Sequence, residues 1–298
     1  MRRSHHDMGT GTLADQPRLT ESDTALIFLH LPKCAGTTLN RIMEWEYNPM
    51  RVFSIDPILF LWSYKKLNRW PTKRLARMQV FKGHMPFGIH KRLPQPSTYI
   101  TFLRDPVERV ISAYYFARNY LLHPKHRWMS RLTLEEYAQI SPNHNAQCKC
   151  ISGRPFVGNH HSGPCDEGTL EMAKENLLRY FSLVGLTERF DEGLAILKIM
   201  FGWEIAKYAN FNVTKNRMKK ASLPASTVEL IAERNKYDVA LYEFAVPIFE
   251  QTRAKYGDEV QRQIDLLTQA KELSKLESLY YFGASAARKA ISRIHSAM

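Results

Sequence analysis

The sequence predicts an α/β fold: a mainly parallel central sheet flanked by helices, with a helical C-terminal extension. Three observations carry this. Two apolar runs, Ala25 to Leu31 and Tyr99 to Leu103, are too continuous for half-exposed strands and read as buried central ones. Helix-periodic stretches alternate with strand-like ones along the 298 residues. Polar constellations follow the strands, as ligand sites do at the carboxyl ends of parallel sheets.

In chain order, residues 1–22 read as a flexible polar tail and residues 23–255 as one large domain. After the first strand, Thr38 to about Trp45 reads as helix. Met78 to Phe81 is a short apolar piece ending at Lys82-Gly83-His84. The strand Tyr99 to Leu103 runs into Arg104-Asp105-Pro106-Val107-Glu108. There Asp105 suits an N-cap, Pro106 the first helical position and Glu108 the third residue of a capping box. A helix from Pro106 to about Tyr120 follows, with Val107, Val110, Ile111, Tyr114 and Tyr115 as its buried stripe. Residues 121–169 are rich in His, Pro, Asn, Gly and Ser and read as an extended loop region with one short helix near Leu134 to Ile140. Helix is expected again at Leu170 to Tyr180, strand at Phe181 to Leu186, and helix at Phe190 to Phe201. The basic stretch Lys215 to Lys220 precedes a helical segment from about Ser226 to Lys255, and residues 256–298 form a further amphipathic extension.

Lys and Arg total 42 against 29 Asp and Glu, a formal charge of +13, which favours anionic partners. The polar start has no apolar core of signal-peptide length, and no segment reaches the roughly 18 apolar residues of a membrane span. The chain therefore reads as soluble and cytoplasmic, with no membrane span. Four cysteines are too few for a disulfide scaffold. Cys148, Cys150 and Cys165 lie near His160 and His161, but not as the two well-spaced pairs of a zinc site, so a loop disulfide or free thiols are expected and no metal.

The loop Pro32-Lys33-Cys34-Ala35-Gly36-Thr37-Thr38 joins a buried strand to a helix. Backbone N–H groups at a helix N-terminus, two hydroxyls and a lysine make an anion cradle. A Walker A loop places its Lys after the second Gly, whereas here Lys33 precedes Gly36 by three residues, so the order differs. Arg104 at a strand end and Ser112 two helical turns on suit a second phosphate, since a guanidinium matches phosphate oxygens two at a time.

The run His30 to Thr38 resembles the 5'-phosphosulfate loop of carbohydrate sulfotransferases that use 3'-phosphoadenosine-5'-phosphosulfate (PAPS). Leu103 to Tyr115 resembles their 3'-phosphate element. The likeness spans about residues 25–255 and is greatest to the heparan sulfate and uronyl 2-O-sulfotransferases, which implies a P-loop-like sulfotransferase fold. It implies PAPS as donor, adenosine 3',5'-bisphosphate (PAP) as product and a hydroxyl of a sugar or glycoconjugate as acceptor. By the same resemblance Lys33 contacts the 5'-phosphate, and Cys34, Ala35, Gly36, Thr37 and Thr38 complete the cradle. Arg104 and Ser112 hold the 3'-phosphate, His84 stands as general base, and Lys215 and Lys220 close over the nucleotide. Relatives of the 2-O type carry a second histidine two positions before the base, where this chain has Lys82. Some relatives are trimers, so a homo-oligomer is possible. Two alternatives remain open: a nucleotide kinase or NTPase, and a basic nucleic-acid-binding module, although no nucleic-acid motif is present and no nucleic-acid partner is expected.

Overall fold

A computed structural model describes residues 24–55, 60–119, 126–154, 156–157, 160–161, 163–204 and 217–269, with 287 and 291. The expected tail, 1–22, lies outside the described residues. The chain runs β1 (Ala25–Leu29), α1 (Gly36–Glu46), β2 (Val52–Ile55), α2 (Phe60–Arg69), α3 (Thr72–Leu75), β3 (Val80–Gly83), β4 (Ser97–Leu103) and α4 (Pro106–Asn119). It continues with α5 (His126–Met129), α6 (Leu134–Ile140), α7 (Ala146–Ile151), the strand pair β5 (Phe156–Val157) and β6 (His160–His161), and α8 (Glu167–Tyr180). It closes with β7 (Phe181–Leu186), α9 (Phe190–Phe201), α10 (Ala225–Arg234) and α11 (Lys236–Gln269).

The main sheet has the order β2-β3-β1-β4-β7 with every pairing parallel. All five β1 residues are buried, as their unbroken apolar run requires. The predicted α/β architecture is what the chain adopts. Because neighbouring strands run the same way, the residues that follow β3, β1, β4 and β7 all emerge at one edge of the sheet. That edge carries the site.

α4 begins where expected, and Val107, Val110, Ile111 and Tyr114 are buried in a second, smaller core with α5, α6 and α10. Tyr115 is half-buried beside it. The capping box is only half made. Asp105 Oδ1 accepts from Glu108 N at 2.9 Å, but Asp105 N donates to Glu188 at 3.1 Å, and the Glu108 carboxylate faces Arg104 and Arg217 instead. Two guanidinium groups hold a carboxylate more strongly than one amide does.

The extended loop expected over 121–169 is corrected by α5 and α7, which the sequence did not announce. The six residues of α7 are too short for a periodic apolar signal, and a helix that short is not stable alone. Its start is held from far along the chain: the buried Asp238 carboxylate accepts from Gln147 N at 3.2 Å and Cys148 N at 2.8 Å. Arg109 lies 3.6 Å from the same carboxylate. The single helix expected over 226–255 is two helices, broken at the fully buried Asn235, whose side-chain oxygen accepts from Asn145 N. α11 then passes residue 255 to Gln269, with a backbone break at Gly257 (φ 49°, ψ −129°). Among the described residues no helix is long and apolar enough to cross a membrane.

Candidate active site

A cavity of about 1110 Å³ opens at the carboxyl edge of the sheet. The loop from Pro32 to Thr38 forms one wall, joined by His84 after β3, Arg104 after β4 and Ser112 on α4. Thr187 to Glu192, leading into α9, and Glu250, Arg253, Gln261 and Ile264 of α11 complete it. Of the residues singled out from sequence, Lys33, Cys34, Ala35, Gly36, Thr37, Thr38, His84, Arg104 and Ser112 are thus brought together. Lys220 stands apart from the wall, with its Nζ 2.8 Å from Asp105 and its N–H donating to Glu108 at 2.9 Å. Lys215 lies outside the described residues.

The loop turns sharply to enter α1: Lys33 (φ 70°) and Ala35 (φ 55°) are both left-handed without being glycine. Ala35 is the N-cap and offers no side-chain acceptor, the Thr38 N–H donates to the Ala35 carbonyl at 3.1 Å, and Gly36, Thr37 and Thr38 put the positive end of α1 at the cavity wall. Arg104 Nη1 donates to the Lys33 carbonyl at 2.9 Å and ties the loop to the next strand end. Lys33 Nζ stands 3.9 Å over the Phe116 ring, one helical turn beyond Ser112. Burial, then Arg104 and Arg217, pull the Lys33 ammonium down from 10.5 to about 8. Burial and Arg217 also lower the Arg104 value, though a guanidinium keeps its charge.

Cys34 lines the loop, yet its thiol is turned into the core, 1% exposed, with Sγ 3.5 Å from Gln147 Oε1. Burial pushes that thiol up to about 12. All four cysteines are free thiols. Among the described residues no group of three or more His, Cys, Asp or Glu is placed to hold a metal ion.

His84 Nδ1 lies 2.8 Å from the backbone oxygen of His30. A carbonyl only accepts, so Nδ1 carries the proton, and in the neutral ring Nε2 keeps the lone pair. The His30 ring stacks on that of His84 (centroids 4.1 Å apart, 29° between planes) and on that of Phe28 (5.4 Å, 11°). Asn40 Nδ2 donates to His30 Nδ1 at 3.0 Å. The role of Gly36 follows from this packing: a Cβ there would come within 1.9 Å of the His30 ring, so the absent side chain is what admits the imidazole. Lys82 is not among the residues that line the cavity. It forms a buried ion pair with Glu44 at 2.6 Å.

Sequence reasoning missed three contributors. Arg217 lines the cavity with Nη1 2.8 Å from Glu108 Oε2, and its only signal was membership of the basic stretch before α10. Gln147 donates to Arg104 O and accepts from Arg104 N, both at 2.9 Å, clamping that backbone from α7. Glu188 lies 4.0 Å from Arg104 Nε and accepts from Tyr242 at 2.9 Å. On the far wall Arg189 forks onto Glu192 (2.7 and 2.6 Å) and contacts Glu250, while Arg253 Nε lies 2.5 Å from Glu192.

Comparison with known proteins agrees with the geometry. A family model described as "Sulfotransferase family" matches residues 17–245. The chain is 26% identical over 295 residues to heparan sulfate 2-O-sulfotransferase 1 of Gallus gallus, covering 86% of this chain and 80% of that protein. It is 25% identical over 283 residues to the Homo sapiens protein of the same name, covering 84% and 77%. It is 28% identical over 211 residues to the heparin sulfate O-sulfotransferase of Drosophila melanogaster, covering 64% and 59%. With a match over most of its length, the chain belongs to the sulfotransferase family and is an enzyme of sulfonate transfer.

Proposed function

We propose that the chain transfers the sulfuryl group of PAPS to a hydroxyl of a sugar or glycoconjugate, with His84 as general base and Lys33 neutralising the leaving phosphate. The observation that carries this is the order of groups along the sheet edge. His84 follows β3, the Lys33 loop follows its neighbour β1, and Arg104 with Ser112 follows β4. A base, a first anion site and a second anion site thus stand in a row, which suits a donor with phosphates at both ends of an adenosine and a hydroxyl held beside His84.

In this scheme the acceptor oxygen attacks sulfur as its proton passes to His84 Nε2. The new O–S bond forms while the S–O bond to the 5'-phosphate breaks, and the charge left on that phosphate meets Lys33 and the N-terminal end of α1. The His30 carbonyl keeps His84 in the required tautomer. The neutral His30 ring, stacked on His84, offers its face to the imidazolium that forms. Arg217, paired with Glu108 beside Arg104, is available to the 3'-phosphate. The scheme calls on no metal. The names of the relatives favour an acidic glycan as acceptor.

Transfer of label from PAPS bearing 35S to a panel of glycans and small alcohols tests the reading. Lys33→Ala and Arg104→Ala are expected to lose transfer together with PAP affinity. His84→Ala is expected to keep PAP affinity and lose turnover by about 10² to 10⁴-fold. Unchanged rates in either of the first two variants would sink the donor-site assignment.

A further inference from the structure

The charge of this chain is segregated. From residue 57 to 104 there are ten Lys and Arg and no Asp or Glu. Six of the ten, Lys65, Lys66, Arg69, Lys73, Arg74 and Arg77, lie in the crossover from β2 through α2 and α3 to β3. Since β2 and β3 are parallel, the crossover must return from the catalytic edge of the sheet to its opposite, amino edge. α2 therefore descends alongside the sheet, and α3 sits at the bottom, just before β3 begins.

At the amino edge lies a second depression, of about 900 Å³, lined among others by Arg51, Lys73, Arg74 and Arg77, with no carboxylate among its described lining residues. Arg51, Lys73 and Arg77 are exposed. Arg74 is fixed by stacking, its guanidinium carbon 3.7 Å over the Trp70 ring. On α2, Lys65 and Arg69 are exposed at i, i+4 spacing and so share a face that leads from the catalytic edge towards this depression. No ion pair joins any of Lys65, Arg69, Lys73, Arg77 or Arg51 to a carboxylate among the described residues. The far wall of the catalytic cavity contrasts with this: its described arginines, Arg189 and Arg253, are already matched to Glu192 and Glu250. A polyanionic acceptor finds little uncompensated positive charge there, and much on the α2–α3 side.

We infer that the basic track from Lys65 and Arg69 to the depression of Arg51, Lys73, Arg74 and Arg77 binds a polyanionic glycan chain while one of its sugars occupies the catalytic cavity. This rests on the sugar-acceptor reading above and adds to it a binding site remote from the chemistry. The strands separating the two edges are four to five residues long, roughly 15 Å by strand rise. An extended oligosaccharide of several residues spans that distance and a disaccharide does not. A concave seat with a stacked arginine favours a chain over a flat anionic membrane. The lack of exposed aromatic rings among its described lining residues disfavours the base stacking of single-stranded nucleic acid.

The test uses the full chain saturated with PAP, so that the donor phosphates no longer compete, and heparin disaccharide and dodecasaccharide as probes. The unmodified protein is expected to bind the dodecasaccharide at least tenfold more tightly than the disaccharide, with marked salt dependence. Lys73→Glu/Arg77→Glu and Lys65→Glu/Arg69→Glu should each erase most of that gain while leaving melting temperature and PAP affinity unchanged. Dodecasaccharide binding unaltered in both pairs would overturn the proposal. So would tighter binding of a twelve-residue oligothymidylate or of phosphatidylserine vesicles through the same residues. Failure of PAP to bind at all would instead sink the donor reading, and the oligosaccharide comparison, repeated without PAP, would still decide the track.

Discussion

At the scale of single residues the site is a set of charges held by unusual backbone. Lys33 sits in a left-handed conformation that lysine seldom adopts, and its ammonium is depressed to about 8 chiefly by burial. In the free protein it is charged below about pH 8 and loses its proton above. PAP affinity is therefore expected to be already declining at pH 8 and to fall at least threefold between pH 7 and 9, with Lys33→Arg abolishing the fall; titration calorimetry at three pH values measures this. Folding stability takes the opposite sign. Between about 8 and 10.5 the unfolded chain holds a proton that the folded chain has released, so the nucleotide-free protein should gain stability as pH rises through that window. The loop itself was legible in the sequence, because Lys, Gly and two Thr between an apolar strand and a helix have few other uses. What Gly36 accommodates was not: the space above it is filled by His30, six residues earlier, and only the fold brings that ring there.

At the scale of elements, the sheet and its flanking helices were readable where the local signal was strong. β7 has the bounds the apolar run implied, and α4 starts at the Asp-Pro junction. The four-residue edge strand β2 and the helix α7 were not readable, since each is shorter than the period that would reveal it. α7 is held by Asp238 and Arg109 from two distant helices, a tertiary cap that no local window contains. Its Gln147 in turn fixes both polar backbone groups of Arg104. Gln147→Leu is expected to destabilise the protein by about 1 to 3 kcal/mol, through the unpaired Arg104 N–H and C=O. It should also weaken PAP binding while leaving the pH profile of turnover in place, since His84 is untouched. Thermal melts and PAP titrations check the two halves separately, and full PAP affinity in a destabilised variant would limit Gln147 to a structural role.

At the scale of the whole molecule, one parallel sheet gathers its functional ends on one edge, and α11 brings the C-terminal part of the chain back to that edge. After the break at Gly257, Val260 and Leu267 are buried in the main core while Gln261 and Ile264 line the cavity. The amphipathic character of this segment was visible in the sequence; its packing against the site was not. A chain ending at Lys255 is expected to melt several degrees lower, because the burial of Val260 and of Leu267 contributes about 1.5 to 3 kcal/mol each. It should also show a raised KM for acceptor with smaller change in PAP affinity. An unchanged melting temperature would detach the segment from the core.

The thiol of Cys34 has a bearing beyond packing. It lies in the loop between β1 and α1, yet burial and its raised value near 12 leave almost no thiolate at neutral pH. Alkylating reagents reach it only when the loop swings away from Gln147, so the rate at which it is labelled is a clock for that opening. PAP bound at the loop should slow the clock, and the enzyme carries, without any introduced probe, its own record of how often that loop opens.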